Sequence, residues 1–192
     1  FVGLLDNIMV GMIGTEQMSG VAIVNQLMFV FNISIFGAIS GAGIFGAQFF
    51  GCQDHKGVRN TFRFKIYACL GLVLLGILLF GFFGEELIML YLHGEEQDEA
   101  ALQAALKYGK EYLAVMLIGL LPFGVEQIYS STLRECGETI VPMKAGVAAV
   151  LINLVLNAIL IFGYLGFPAM GVVGAAIATV ISRYIQTAIV IV

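Results

Sequence analysis

A lone carboxylate and three neutral polar side chains interrupt apolar stretches of this 192-residue chain. The four residues are Asp6, Asn153, Asn157 and Thr179. Asn153 and Asn157 are four residues apart and therefore share one face of a helix. At 1.5 Å per residue, the four lie about 9 to 15 Å from the predicted outer ends of their helices. Oxygen ligands on three helices at one depth predict a site for a hard cation, or a carboxylate that takes up a proton.

Each of these side chains also has a purely structural interpretation. Asp6 can be a carboxylate that is hydrogen-bonded between helices, and the amides and the hydroxyl can hold helices together. An ionisable group within a membrane span is costly, however, and usually faces a cavity, a partner or an ion path. The common depth of the four residues favours a functional site. The sequence does not choose between a proton and a cation as its ligand.

The composition indicates which elements carry these residues. Hydrophobic residues make up 60% of the chain and charged residues 11%, and the mean hydropathy is +0.99. A soluble domain carries about 25% charged residues. The composition therefore indicates a membrane protein and excludes a soluble enzyme, a nucleic-acid-binding protein and a disordered chain. The sequence has no HExxH, P-loop or nucleophile-elbow motif, so we expect no enzyme.

Charge-free stretches that can cross a bilayer predict an all-α polytopic membrane protein. A span needs about 20 apolar residues. The charge-free run 145–182 would be about 57 Å long as one helix and must fold back. Gly163, Gly166 and Pro168 place that turn. The predicted bundle has six transmembrane helices, at about 1–13, 21–50, 62–84, 112–134, 141–162 and 171–192.

Basic residues in short connections predict which side of the membrane each connection faces. The connections near 52–65 and 134–144 are basic, so we expect them in the cytoplasm of a multi-pass plasma-membrane protein. The opposite connections are acidic or uncharged and should lie outside. The longest of them, 85–111, should contain an exposed or amphipathic helix that starts in an acidic stretch, Glu95, Glu96, Asp98 and Glu99.

Further polar residues within the predicted spans can line a cavity. These residues are Gln26, Asn32, Glu126 and Arg183. Glu126 and Arg183 lie deepest, and they predict either an intramembrane ion pair or contact with an aqueous cavity. Pro122, one turn before Glu126, predicts a kink in the fourth segment. Small residues four positions apart, such as Gly37 with Gly41, predict close contacts between helices.

Longer motifs around these residues resemble the multidrug and toxic compound extrusion (MATE) family. DNIMVGMIGTE from Asp6, NQL from Asn25 and GAQFFG from Gly46 resemble the first two helices of that family. Its fourth to sixth helices are similar to LRECGET from Leu133, NLVLN from Asn153 and GVVGAAIATVIS from Gly171. These motifs occur in the order of the family and cover essentially the whole chain.

The resemblance implies a secondary transporter of twelve helices in two six-helix lobes. Such a transporter exports organic, often cationic compounds in exchange for inward Na+ or H+. This chain would be most of the N-terminal lobe, a fragment with a truncated first helix and without the second lobe. The expected partners are drug-like compounds, the lipid bilayer and the second lobe, with no nucleic acid. The only expected cofactor is the coupling ion, Na+ or H+.

The resemblance also implies roles for individual residues. In the family, the first-helix acid that Asp6 matches binds the proton or cation, and the positions of Asn153, Ala175 and Thr179 join it. Some members carry a second acid where this chain has Asn157, so Asp6 would be the single carboxylate of the site. If Na+ is the coupling ion, its ligands would be Asp6, Asn153, Asn157 and Thr179.

Two other functions stay open at this point. A flippase for lipid-linked precursors, from the same superfamily, would share the architecture but typically lines its cavity with several basic residues. Here Arg183 is the only basic residue that lies deep within a predicted span, because the others lie near the ends of spans or in connections. An intramembrane enzyme or a channel subunit would need clustered catalytic groups or a filter-like loop, and the sequence shows neither. We therefore expect multidrug efflux by antiport.

Overall fold

The computed structural model describes residues 2–92, 99–166 and 168–192, and these residues form an all-α bundle. This confirms the predicted fold class. The acidic residues Glu95, Glu96 and Asp98 lie outside the described residues. A 3₁₀ turn, Tyr164–Gly166, precedes the last helix. The described residues contain seven α-helices: α1 Val2–Gly11, α2 Thr15–Gly51, α3 His55–Leu92, α4 Glu99–Ile118, α5 Leu120–Glu135, α6 Ile140–Phe162 and α7 Gly171–Ile191.

Several helices of the described chain have the length and apolar character of membrane spans. Four of them, α2, α3, α6 and α7, pass this test individually, and α4 with α5 passes it as one bent span. α1 is a shorter apolar helix of 10 residues that packs against α2, α6 and α7. The chain is therefore a multi-pass membrane protein.

The second and third helices extend beyond the segments predicted at 21–50 and 62–84. α2 has 37 residues and α3 has 38, so each is about 55 Å long, compared with about 30 Å for a hydrocarbon core. Their ends contain polar residues that the sequence analysis placed in connections. Glu85, for example, is helical and binds Lys110 of α4 at 2.5 Å. Lys, Arg and Glu have high helix propensity, so charge alone does not mark the end of a helix.

The segment predicted at 112–134 contains the end of one helix, α4, and most of the next, α5, which meet at Gly119. α4 and α5 are bent by 48° at this break. Pro122, where a kink was predicted, lies instead in the first turn of α5. There its missing N–H removes no hydrogen bond, because the first N–H groups of a helix have no partner within it. The segment therefore bends at the glycine, three residues before the proline.

Close contacts between helices occur at some of the small residues and not at others. A Cβ on Gly20 would lie 2.5 Å from a backbone oxygen of α4, and one on Gly174 would lie 2.6 Å from a backbone oxygen of α6. Only glycine allows these approaches. Gly37 and Gly41 were predicted at a helix contact, and this prediction is wrong. A Cβ at either position would have no neighbour within 4 Å, because both residues line an apolar groove between α2 and α3.

A largely buried ion pair joins α3 to α5. Lys65 Nζ donates to Glu135 Oε1 and Oε2 at 2.5 and 2.6 Å, and the lysine side chain is completely buried. The hydroxyl oxygens of Ser131 and Thr132 lie 3.3 and 3.4 Å from the same nitrogen. Lys65 and Glu135 belong to the two basic segments that were predicted to face the cytoplasm. The ion pair brings these segments together at one end of the bundle.

A third helix, α2, packs against the Lys65–Glu135 pair, and two of its glycines lie next to the Glu135 carboxylate. A Cβ added to Gly43 or Gly46 would collide with the carboxylate oxygens of Glu135. Both glycines are buried. Glu135 therefore lies against α2 while it binds Lys65 of α3, and the pair holds three helices together at this end.

Candidate functional site

The interior of the bundle contains a cluster of polar side chains around Asp6. This residue is fully buried and accepts hydrogen bonds from three different helices. Asn157 Nδ2 of α6 donates to Asp6 Oδ1 at 2.7 Å. Thr179 Oγ1 of α7 and Tyr112 OH of α4 donate to Asp6 Oδ2 at 2.7 and 2.9 Å. One carboxylate therefore connects α1 to α4, α6 and α7.

A second amide completes the cluster behind these donors. Asn153 Nδ2 donates to Thr179 Oγ1 at 2.9 Å, and Asn153 Oδ1 accepts from Asn157 Nδ2 at 3.2 Å. Both amide side chains are fully buried. Asn157 Oδ1 is also buried, and it has no hydrogen-bond partner among the described residues. A buried acceptor without a donor is costly, so this oxygen is suited to a ligand that carries positive charge.

The structure thus brings together the four residues that share a predicted depth, Asp6, Asn153, Asn157 and Thr179. Ala175, the fifth position that the family resemblance implies, is fully buried on α7, one turn before Thr179. Its methyl side chain provides no ligand atom. Any contribution from Ala175 is therefore limited to packing and to its backbone.

The sequence analysis missed Tyr112, which is fully buried in the cluster. Its hydroxyl oxygen lies 2.9 Å from Asp6 Oδ2 and 3.3 Å from Asn25 Oδ1. Asn25 in turn donates to Asn7 Oδ1 at 2.8 Å. Tyr112 stands at the predicted boundary of the fourth segment, a position typical of tyrosines at the membrane interface. Nothing in its sequence position indicated a buried hydroxyl next to a carboxylate 106 residues away.

The donors to Asp6 are all neutral. In residues 2–92, 99–166 and 168–192, no Lys, Arg or His nitrogen lies within 4.0 Å of either Asp6 oxygen. A buried charge without an opposite charge is costly, and neutral hydrogen bonds compensate it only in part. A proton or a cation would neutralise it. The carboxylate, the unpartnered Asn157 oxygen and the Thr179 hydroxyl form an oxygen-only set of the kind that hard cations prefer.

A cavity of about 270 Å³ lies beside Asp6. Two of the four residues predicted to line a cavity, Asn32 and Arg183, contribute to its wall. Asp6, Asn25 and Thr179 are the other polar residues of the wall, and the apolar part is formed by Met28, Phe29, Met116 and the start of α1. The buried carboxylate therefore lies next to a space that can hold part of a small molecule.

The other two residues predicted to line a cavity, Gln26 and Glu126, do not line this one. Gln26 is exposed, because it follows Asn25 directly and therefore points about 100° away from it around α2. Glu126 is buried in α5, where Ser130 Oγ and Gln127 Nε2 donate to its carboxylate at 2.6 and 2.9 Å.

The sequence predicted that Arg183 either pairs with Glu126 or contacts a cavity, and the ion pair does not form in the described chain. No carboxylate oxygen of the described residues lies within 4.0 Å of its guanidinium. The group is stacked over the ring of Phe123, with its central carbon 5.0 Å from the ring centroid. One nitrogen, Nη1, lies 3.5 Å from the Gly119 carbonyl oxygen at the break between α4 and α5.

A multi-pass helical bundle with a buried carboxylate next to a polar cavity is the architecture of a membrane transporter. The chain belongs to the MATE family, whose sequence model, MatE, matches residues 1–159. Probable multidrug resistance protein NorM of Thermotoga maritima is 31% identical over 191 residues, which are 97% of this chain and 39% of that protein. Probable multidrug resistance protein NorM of Bacillus licheniformis is 28% identical over 183 residues, 95% of this chain and 39% of that protein.

Solved structures agree with this assignment. The inward-facing conformation of a multidrug resistance MATE family transporter of the MOP superfamily matches with a TM-score of 0.85 and 25% identity, over 99% of this chain and 40% of that chain. A MATE crystal structure in the bent conformation gives a TM-score of 0.82 and 26% identity, over 98% of this chain and 40% of that chain. The family consists of transporters rather than enzymes. This chain spans about 40% of the length of these relatives.

Proposed function

We propose that this chain forms part of a secondary transporter that exports organic, often cationic compounds in exchange for inward Na+ or H+, with Asp6 as the coupling residue. The NorM relatives, which are named as probable multidrug resistance proteins, support the export of drug-like compounds. The position of Asp6 supports its role in coupling. A second lobe in the whole protein would supply the remainder of the transport path, since the chain spans about 40% of its relatives.

One observation carries this proposal: among the described residues, the donors to a buried carboxylate are neutral groups from three other helices. When Asp6 gains a proton or a cation, the strength of these three hydrogen bonds changes. Hydrogen bonds to a charged group are stronger than bonds to a neutral one. Cation binding therefore changes how tightly α1 is held to α4, α6 and α7, and this can bias two conformations of the lobe.

The same cluster suits either coupling ion. If the ion is Na+, the Asp6 carboxylate, the Asn157 and Asn153 amide oxygens and the Thr179 hydroxyl would hold it. Asn157 Oδ1 supports this possibility, because it is buried and has no partner among the described residues. If the ion is H+, Asp6 itself takes it up. In both cases the ion supplies a positive charge in direct contact with the carboxylate, which no described Lys, Arg or His provides.

The test is the substitution Asp6→Asn in the whole protein, because it keeps the shape of the side chain and removes its charge. We expect ion-driven efflux of a cationic dye to be lost, while the protein still inserts in the membrane in near-normal amounts. The measurement is dye export from proteoliposomes, with imposed Na+ and H+ gradients in separate experiments. Asp54→Asn is the matched control, since Asp54 is exposed and binds backbone N–H groups at the start of α3.

The substitution Asn157→Ala sharpens this test. It removes one donor to Asp6 and the unpartnered oxygen but leaves the carboxylate in place. We therefore expect weaker transport rather than its loss, with a larger effect in the Na+ gradient if Na+ is the ion. Normal transport by Asp6→Asn in both gradients would contradict the assignment of coupling to Asp6.

A further inference from the structure

The cavity beside Asp6 contains a positive charge that the proposed coupling does not use. Arg183 lines this cavity, and its guanidinium has five N–H donors in a fixed fork. Among the described residues, its contacts are the Gly119 carbonyl oxygen at 3.5 Å and the face of Phe123. The distance to Gly119 is at the limit of a hydrogen bond. Most of the donor capacity of Arg183 is therefore available to a ligand.

The same cavity wall presents an acceptor that is also unused. Asn32 lines the cavity, and its Oδ1 is buried without a hydrogen-bond partner among the described residues. Asn157 Oδ1, in the neighbouring Asp6 cluster, is the other such side-chain atom in the described chain. An N–H group of a ligand would satisfy Asn32. The cavity therefore offers an unsatisfied donor group and an unsatisfied acceptor, in addition to the carboxylate.

The charges in this cavity balance. Asp6 contributes one negative charge and Arg183 one positive charge, and they form no ion pair within 4.0 Å. A ligand with a net charge would leave one of these groups without an opposite charge inside the bundle, which is costly. A ligand with one charge of each sign can compensate both. Arg is particularly suited to the anionic group, because its fork binds a carboxylate with two parallel hydrogen bonds.

We propose that Arg183 is a specificity-determining residue that binds the carboxylate of a zwitterionic substrate. The cationic, N–H-bearing group of the same substrate lies toward Asn32 Oδ1 and Asp6. This inference rests on the proposed function, because it names the chemical class of compound that occupies the cavity. The proposal also fits the exchange of this substrate for a coupling cation. Neutralising Asp6 weakens its hold on the cationic group, while Arg183 continues to discriminate by the carboxylate.

Two rhodamine dyes provide a matched pair of probes. Rhodamine 110 carries amino groups, a delocalised cation and a free carboxylate, whereas rhodamine 123 is its methyl ester and lacks the carboxylate. Binding is measured by fluorescence anisotropy with the purified whole protein, and transport is measured separately in proteoliposomes. We expect the wild type to bind rhodamine 110 more tightly. Arg183→Gln should weaken the binding of rhodamine 110 by about tenfold, which is the range for a lost hydrogen bond to a charged group. The binding of rhodamine 123 should not change.

Three further variants separate a binding role from a structural one. Arg183→Lys keeps the charge without the fork and should retain part of the preference for rhodamine 110. Asn32→Leu should weaken the binding of both dyes equally, because both carry amino groups. Lys144→Gln removes a positive charge from an exposed position on α6 and should change neither dye.

The outcomes distinguish this inference from the proposed function. Equal binding of the two dyes by the wild type, or an equal loss of both in Arg183→Gln and Arg183→Lys, would overturn the role of Arg183. If the role of Arg183 is overturned in this way, efflux of either dye in an ion gradient would still support the proposed function. Selective, Arg183-dependent binding of rhodamine 110 without ion-driven transport would support the inference and overturn the proposed function.

Discussion

Two carboxylates inside this bundle, one fully buried and one largely buried, are held in opposite ways. Glu135 faces the ammonium group of Lys65 at 2.5 and 2.6 Å, and the lysine side chain has no exposed surface. Asp6 is fully buried, and its three partners are an amide and two hydroxyls. Both carboxylates connect several helices. Of these two carboxylates, only Glu135 contacts a full opposite charge among the described residues.

This difference shows what each cluster can do. When one member of a buried ion pair is removed, the other remains as an uncompensated charge, so Lys65 and Glu135 fix each other in the charged state. Asp6 has no charged partner within 4.0 Å among the described residues, so a cation that binds it breaks no direct ion pair. The Lys65–Glu135 pair is therefore suited to holding three helices together. Asp6 is suited to the change of state that the proposed coupling requires.

The largest expected effect is a loss of stability when the ion pair is broken. Glu135→Gln leaves Lys65 buried without an opposite charge, which should cost about 3 kcal/mol, the lower end for a broken buried pair because Glu135 retains some exposure. The measurement is the apparent melting temperature of the whole protein in detergent, followed by size-exclusion chromatography. The same acid-to-amide change at Asp6 should cost about 1 kcal/mol or less, because its donors are neutral.

A double variant tests the cause of this loss. Lys65→Met combined with Glu135→Gln removes both charges and replaces the lysine stem with an apolar chain of similar size. It should recover most of the stability lost in Glu135→Gln. If the double variant melts lower than Glu135→Gln, or if Asp6→Asn is as unstable as Glu135→Gln, the two clusters do not differ in the way described.

A smaller effect of Glu135→Gln is expected on the labelling rate of the Cys136 thiol. Cys136 follows Glu135 directly and lies between α5 and α6. Burial and the Glu135 carboxylate raise the pKa of Cys136, and Lys65 partly opposes this shift. At a given pH, less of the thiol is therefore ionised, and maleimide labelling is slower than for an ordinary thiol. Glu135→Gln removes one cause of the raised pKa, so labelling should become faster and its pH profile should move to lower pH.

The labelling rates are measured in a Cys52→Ser, Cys69→Ser background, so that Cys136 is the reporting thiol. Asp6→Asn in this background should leave the pH profile of Cys136 unchanged, because Asp6 is not among the groups that shift this thiol. An identical profile for Glu135→Gln and its parent would show that the carboxylate does not act on Cys136.

The motifs of the sequence predict the family by resemblance, whereas the all-α membrane fold and the polar residues on α6 and α7 are predicted on physical grounds. Charge-free runs must be helical in a membrane because every backbone polar group needs a partner. Asn153 and Asn157 share a face because of the helical repeat. Their depth relative to Asp6 follows from the rise per residue, provided that the turns are placed correctly. Gly163 and Pro168 mark one of these turns clearly.

The features that could not be predicted depend on contacts between distant residues. Tyr112 joins Asp6 across 106 positions, and Lys65 joins Glu135 across 70. No spacing rule connects such pairs. The break at Gly119 was also missed, because Pro122 is the stronger breaker in isolation, whereas its position in the first turn of α5 makes it harmless there. Gly37 and Gly41 have the spacing of a helix contact but border a groove.

The most direct test of the central claim is whether Asp6 itself changes state when the coupling ion binds. Infrared difference spectra of the whole protein in lipid, recorded on adding Na+ or on lowering the pH, report changes at carboxyl groups. We predict a carboxyl band that is present in the wild type and in Glu126→Gln, which alters another buried acid, and absent in Asp6→Asn. An unchanged difference spectrum in Asp6→Asn would show that the ion binds elsewhere and would contradict the account.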